Sequence, residues 1–399
     1  MRITIVQGAN FPVPPLLGGA VEKKWFALGK MFAAKGHSVT QISRRYGELP
    51  NEELRDGVLH RRVAGFDAPK SLVLLKAADL IYSRRVREVL PDADILVSHT
   101  FWLPMLSVGC NRGLIYAHVA RYPKGQHRFY TRAARLQAVS TPVARAVCRQ
   151  APKLADRVTV IPNFTWHLRP SDSPGSREKY ILYVGRIHPE KGLLLLMNAF
   201  SRLVSSGISG WKLLIVGPWE FKHGGGGRAY YEKLRYASHG SVEFTGPVFD
   251  EHRLNEYYDK AAFFVYPSLA EKGEAFGLSP LEAMARGCPA LVSSLDCFKD
   301  FIQADYDGWV FNHRGPDAKR NLESSMREII SNSAVREIVS RNALATANQF
   351  TIDRIASLYL EDFEKLLHSK GTLPALSEQV PESIELSGPY ERSLPASRK

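Results

Sequence analysis

Short apolar, β-branched runs recur along most of this 399-residue chain, and longer stretches with helical spacing lie between them. That alternation is the pattern of parallel sheets covered by helices, because a parallel strand rejoins its neighbour only through a crossover. In the first half the strands read ITIVQ, SVTQIS, GVLHRRV, DILVSH, LIYAHV, LQAVS and VTVIPN, with the clearest helices from Val21 to Lys35 and from Ser71 to Leu90. A second series follows, YILYVG, KLLIVG, VEFTG, FFVYPS, PALVSS and WVF, and a last helical pattern runs from Ile352 to Leu367. The polar stretch at 169–179, rich in Pro, Ser and Gly, reads as a linker. The expected organisation is a domain at 1–168, the linker, a second domain at 180–350, a helix at 351–368 returning to the first domain, and a disordered tail at 369–399. Two doubly wound α/β units joined in this way face each other across a cleft, and ligands bind beyond the carboxyl ends of the strands.

Composition excludes several other classes. With 45% hydrophobic and 23% charged residues the chain reads as soluble and globular, and no apolar run approaches the roughly 20 residues of a membrane span. Pro12, Pro14 and Pro15 interrupt the apolar start, so MRITIVQ reads as a strand entering a loop instead of a secretory leader. Cys110, Cys148, Cys288 and Cys297 have neither zinc nor redox spacing, which fits thiols in a reducing cytoplasm.

The chemistry-bearing motifs lie mostly in the second half. YILYVGRIHPEKG ends a strand at Gly185 and sets Arg186 and Lys191 around a loop before the helix LLLLMNAFSRLV. Two cations at the carboxyl edge of a sheet, beside a helix N-terminus, suit a diphosphate. In EKGEAFGLSPLEAMARG, Glu274 and Glu282 stand eight residues apart. Ser279, Pro280 and Glu282 have the spacing of a capping box, which accounts for Glu282 locally but leaves Glu274 and Gly277 unexplained. The amides from Phe276 to Leu278 precede a helix and attract an anion, whereas Glu274 suits a neutral, hydroxyl-rich partner such as a sugar. PDAD at 91–94 and DYD at 305–307 imitate a metal-binding D-x-D, but the first reads as a strand cap and the second as a turn, and no catalytic metal is expected.

In this order and spacing, GRIHPEKG, IVGPW, VEFTGPV, VYPS and EAFGLSPLEAMARGCPALVS resemble the retaining glycosyltransferases of GT-B fold, glycosyltransferase family 4 (group 1 glycosyl transferases). The resemblance spans about residues 1–368 and is strongest from Val160 to Phe311. It implies two Rossmann-like domains and metal-independent transfer of a hexose, with retention, from a UDP- or GDP-linked sugar to an acceptor hydroxyl. The implied setting is glycolipid, lipopolysaccharide or polysaccharide synthesis, with the nucleotide sugar as co-substrate and no cofactor. By resemblance Glu274 holds donor-sugar hydroxyls, Glu282 the ribose, and Arg186 and Lys191 the diphosphate. Gly185, Phe276, Gly277 and Leu278 would lie against the donor, and Pro247 and Val248 would line the nucleobase. PPLLGGAVEKKW resembles the family's glycine loop, in which Gly18 and Gly19 let amides approach donor phosphate and acceptor. DILVSHTFWLP puts His99 at the catalytic site, orienting donor sugar and acceptor while the departing phosphate oxygen takes the acceptor proton. His118, one strand further on, and Arg121 would serve the acceptor; a buried structural role is the alternative for both histidines. The run HGGGGRAYY is longer than the family usually carries and reads as a mobile loop near the donor.

Charge is divided unevenly between the halves. Residues 1–170 hold 26 Lys+Arg against 11 Asp+Glu, while the remainder holds 27 against 29. No acid occurs between Asp94 and Asp156, a stretch with nine basic residues. By itself such a field can mean nucleic acid, anionic lipid headgroups or an acidic substrate. In the resembling family this half binds the acceptor, so the expected acceptor is anionic or held at an anionic surface: a lipid-linked saccharide, a phospholipid or an acidic polysaccharide, met peripherally at the inner face of a membrane. Nucleic acid is not an expected partner, since no recognition motif is present and aromatics are not interleaved with the basic run. A nucleotide-sugar epimerase of the same architecture, a basic nucleic-acid-binding protein and a binding module without turnover remain the competing readings.

Overall fold

Two sheets account for the alternation. The computed structural model describes residues 1–69, 71–107, 112–166, 177–238 and 240–369. The first sheet holds β1 (Arg2–Val6), β2 (Ser38–Arg44), β3 (Glu52–Arg55), β4 (Val58–Val63), β5 (Ile95–Ser98), β6 (Leu114–Val119), β7 (Arg135–Ala138) and β8 (Val158–Val160). Their spatial order is β3-β4-β2-β1-β5-β6-β7-β8. The second holds β9 (Glu178–Val184), β10 (Lys212–Val216), β11 (Val242–Gly246), β12 (Ala261–Tyr266), β13 (Ala290–Ser293) and β14 (Gly308–Phe311), ordered β11-β10-β9-β12-β13-β14. All strand pairs run parallel except β3 with β4. Each sheet is doubly wound: strand order reverses between β1 and β5 in the first, and between β9 and β12 in the second.

Most expected strands and helices lie where the apolar runs put them, because strands buried on both faces read as continuous apolar segments. β3 is the exception. Its sequence, EELR, carries no apolar alternation; it is an edge strand, turned back onto β4 through Asp56 and Gly57 at positive φ. The expected linker falls largely outside the described residues, since 167–176 are not among them and Glu178 already begins β9. The expected tail lies outside them beyond Ser369, and so does Cys110.

The chain then crosses back. The helix Ile352–His368 packs its Tyr359 and Phe363 against Phe32 and Tyr116 of the first unit. Asp362 on that helix accepts from the Tyr116 hydroxyl (2.9 Å) and pairs with Arg135 (2.7 Å). Further links join the two units: the Thr141 amide donates to Asp300 (2.7 Å), and Lys23 pairs with Glu251 (3.2 Å).

At the root of this junction Lys24 is buried, on the helix Ala20–Ala34. Its ammonium donates to Asn163 Oδ1 (2.9 Å) and to the Tyr359 hydroxyl (3.1 Å), and no carboxylate pairs with it among the described residues. Burial pushes its pKa down to about 7, so the folded chain holds this proton less tightly than the unfolded one does. Below pH 7 both states are protonated and the full desolvation penalty is present. Above it the folded amine sheds its proton first, and stability rises with pH by at most about 1.4 kcal/mol per unit until the ordinary lysine range. Lys24→Met should remove that slope: the stability of wild type relative to the variant, measured by urea unfolding, should increase from pH 6 to pH 9. An unchanging difference would contradict a buried, titrating lysine.

Candidate active site

In the second sheet the site is built where strand order reverses. Gly185 follows β9 and Gly217 follows β10, the two backbones so close that a Cβ on residue 217 would collide with the Gly185 carbonyl. This contact leaves Arg186 at the sheet's carboxyl edge. Its guanidinium donates to the Gly224 carbonyl (2.6 Å) and pairs with Glu190 (2.8 Å), and the side chain is half-exposed. Lys191 closes the short 3-10 turn Pro189–Lys191 just before the helix Leu193–Ser205.

From the other side of the reversal, the loop after β12 brings Glu274 to Lys191. Their ion pair measures 2.6 Å and both side chains are nearly buried, at 7% and 10% exposure. Glu274 also accepts from the Ser268 hydroxyl (3.1 Å), and the Lys191 ammonium lies 5.4 Å from the centre of the Tyr266 ring. Its own burial, followed by the charge of Glu274, holds the Tyr266 hydroxyl well above the usual tyrosine range. Among the described residues no group of three His, Cys, Asp or Glu is placed to hold a metal ion. Of the two D-x-D look-alikes, Asp94 is occupied by the amide and guanidinium of Arg2, and Asp307 by Gln303 and Thr346.

Two expectations need correction. The capping box does not form: the helix is Leu278–Ala285, its N-cap is Gly277 at φ 85°, and Ser279 sits inside it without a capping bond. A Cβ on residue 277 would strike the Phe298 ring, so a glycine with left-handed φ starts the helix earlier than the serine would. Glu282, freed from the cap, lies in the second turn and accepts from the Tyr258 hydroxyl (3.3 Å). The glycine run is likewise folded in place, not a free loop. The amides of Gly225, Gly226 and Gly227 donate to Glu220, Ile187 and Trp219, while Gly224 holds Arg186. Phe276 is buried, and Leu278 and Val248 are half-buried.

The first sheet's reversal point carries the histidines. The His99 amide, just past β5, donates to the carbonyl of Val6 at the end of β1. Its Nε2 is buried with no partner, and burial, aided by the charge of Lys24, pushes its pKa down to about 3. The His99 ring lies 5.1 Å from that of His118 and 5.0 Å from that of Trp25. His118 is half-buried at the end of β6, and its Nδ1 faces Gln137 Oε1. Gly18 and Gly19 take positive φ at the start of the helix Ala20–Ala34, and Arg121 is exposed.

Sequence reasoning missed Glu190, Ser268, Gln137, Lys24 and Glu22. Glu22 is buried, folds back over Gly19 and has its pKa raised by burial, with the charge of Arg121 opposing. A carboxylate three residues after a glycine N-cap could have signalled it.

Comparison with known proteins places this geometry. Residues 165–346 match the family described as glycosyl transferases group 1. An uncharacterized glycosyltransferase of Methanocaldococcus jannaschii is 26% identical over 387 residues, covering 86% of this chain and 92% of that protein. A phosphatidyl-myo-inositol mannosyltransferase of Mycobacterium tuberculosis is 26% identical over 193 residues, 48% of each chain. Among solved structures, a sucrose-phosphate synthase from Thermosynechococcus elongatus superposes with a TM-score of 0.76 at 18% identity, over 92% of this chain and 99% of that one. Anabaena HepE in complex with UDP and glucose gives 0.66 at 15% identity, over 91% and 99%. With its two facing parallel-sheet units of GT-B type, the chain carries a glycosyltransferase domain of the group 1 family over residues 165–346.

Proposed function

We propose that this protein transfers a sugar from a nucleotide diphosphate sugar to an acceptor hydroxyl, with retention at the anomeric carbon and without a metal ion. The observation that carries the reading is the Lys191–Glu274 pair at the sheet reversal, with Arg186 beside it. An ammonium has three donors and Glu274 takes one; a guanidinium has five, and Gly224 and Glu190 occupy two. The remaining donors, with the N-terminus of the helix Leu193–Ser205, meet the charge growing on the leaving diphosphate, which is the work a metal would otherwise do. In this reading Glu274 holds hydroxyls of the sugar, and Glu282 takes the ribose. The family resemblance leaves a UDP- or GDP-linked donor; HepE, which shares the fold, was solved with UDP.

The division of labour is open to direct test by product analysis, in EDTA, with donor and acceptor supplied separately and together. Transfer should survive the chelator, and donor alone should yield no isomer. Glu274→Gln should mainly lower turnover, whereas Glu282→Gln should mainly weaken binding of the free nucleotide diphosphate. Equal affinity of both variants for that nucleotide would refute the assignment.

For the acceptor side, the reading is a lipid-borne or otherwise anionic acceptor met at a membrane surface. Leu72, Val73 and Leu74 open the helix Leu72–Val89 with 68%, 77% and 60% of their surfaces exposed. Beside them Lys76 lies 3.2 Å from the centre of the Phe101 ring, the Tyr130 hydroxyl donates to the Phe101 carbonyl, and Phe129 is exposed. Arg121, Lys124, Arg128 and Arg132, all exposed, have no ion pair among the described residues. Exposed apolar side chains and exposed cations on the same unit suit an anionic bilayer, each cation contributing about 1 kcal/mol near the surface. No helix among the described residues is long and apolar enough to cross one. Sedimentation with anionic liposomes should therefore be strong at low salt, weak at high salt, and weakened again by joint replacement of Leu72, Val73 and Leu74 with Ser. Indifference to lipid charge and to salt would favour a neutral soluble acceptor.

A further inference from the structure

We propose that Gln137 is a positioning residue: it holds His118 as the tautomer protonated on Nδ1, so that Nε2 meets substrate only as a hydrogen-bond acceptor. The inference begins with two backbone carbonyls. Gln137, on β7, is completely buried, and its Nε2 donates to the carbonyls of Ala138 and Ile161, both at 2.7 Å. Carbonyls only accept, so the amide cannot be turned over, and its oxygen must face the other way. There it meets the Tyr359 hydroxyl (2.8 Å) and Nδ1 of His118. An amide oxygen also only accepts, so both of these groups donate to it.

The polarity continues outward. Having donated to Gln137, the Tyr359 hydroxyl accepts from Lys24, which also donates to Asn163. Every hydrogen bond in the chain therefore has one possible direction, and the buried amide of Gln137 has both donors and both lone pairs engaged. Burial, followed by the charges of Lys24 and His99, holds the pKa of His118 well below the usual histidine range, so its ring carries a single proton. That proton is on Nδ1. Nε2 is a bare lone pair with no partner among the described residues, on a half-buried side chain at the carboxyl end of β6. His99 differs, because its Nε2 is shut away.

A bare imidazole nitrogen accepts from a hydroxyl and has nothing to offer a phosphate or carboxylate oxygen. His118 is thus set to take a sugar hydroxyl, and Gln137 excludes the tautomer that would bind an anion. This rests on the sugar-transfer reading of the cleft, but its primary test does not. In protein labelled with ¹⁵N-histidine, long-range nitrogen–proton spectra separate protonated from bare ring nitrogens, and His118→Gln identifies the resonance. The wild-type chain should show His118 with Nδ1 protonated and Nε2 bare at neutral pH. Nε2–H in the wild type would overturn the proposal outright. Gln137→Leu should give a mixture of tautomers and lower kcat about tenfold or more, with the nucleotide diphosphate Kd changed by less than about twofold. Tyr359→Phe disturbs the same buried junction but leaves the His118–Gln137 bond, and should keep the Nδ1–H form. A folded Gln137→Leu variant that stays purely Nδ1–H, or one that changes tautomer at unchanged kcat, would also overturn it. The expected wild-type tautomer in a protein with no transfer activity would instead sink the proposed function and leave the lock standing.

Discussion

The buried ion pair of Lys191 with Glu274 is the contact on which the second unit's active edge depends. It ties the loop leaving β9 to the loop leaving β12, the two strands that flank the reversal of strand order. Neither charge could be buried alone, since an unpaired partner at such a site costs about 3–5 kcal/mol. The two loops therefore define each other's position. Ser268 supplies a further donor to the carboxylate, and the Tyr266 ring covers the ammonium. Because the pair is neutral overall, the field at this edge is shaped by Arg186, whose own Glu190 partner is half-exposed and more easily screened.

Much of this was legible in the residues. Parallel strands buried on both faces announce themselves as apolar runs, so both sheets and most of their boundaries could be read directly. Arg186 and Lys191 could be placed because a strand, a glycine and a helix start locate a loop at the sheet edge. What failed was chemistry decided by distant contacts. The capping box had the right spacing, yet the Phe298 ring admits only a glycine backbone at 277, and the helix begins there. Lys191 meets a carboxylate 83 residues away; Lys24 reaches partners 139 and 335 residues away. A lysine two positions beyond Glu22 on an amphipathic helix gives no local sign of being buried. Nor does a glutamine inside a strand declare that two carbonyls will orient it.

The return of the C-terminal helix makes the first unit's reversal point depend on the end of the chain. Tyr359 belongs to that helix, yet its hydroxyl links Lys24 to Gln137 and so to His118. Asp362, one turn further, is fixed by Tyr116 and Arg135 on β6 and β7. The helix thus clamps two neighbouring strands whose carboxyl ends face the cleft. Movement of the two units relative to each other would have to pass through this junction, where the polar groups are buried and directionally bonded.

The distribution of charge fits a transferase that must let its product go. Cations left unpaired at the donor edge would bind a free nucleotide diphosphate most tightly after the sugar has left, when its charge is greatest, and would slow release. Here Arg186 is matched by Glu190 and Lys191 by Glu274; under the proposed transfer this would moderate ground-state attraction while leaving donors for the leaving group. Interactions that strengthen only as charge develops are the ones that raise turnover. The uncompensated cations lie instead in the other unit, on the acid-free stretch, where they would concentrate an anionic acceptor or surface without holding the nucleotide back. Under the proposed transfer, compensated charge at one edge and exposed charge on the other unit would favour tight capture of the acceptor and ready loss of the nucleotide.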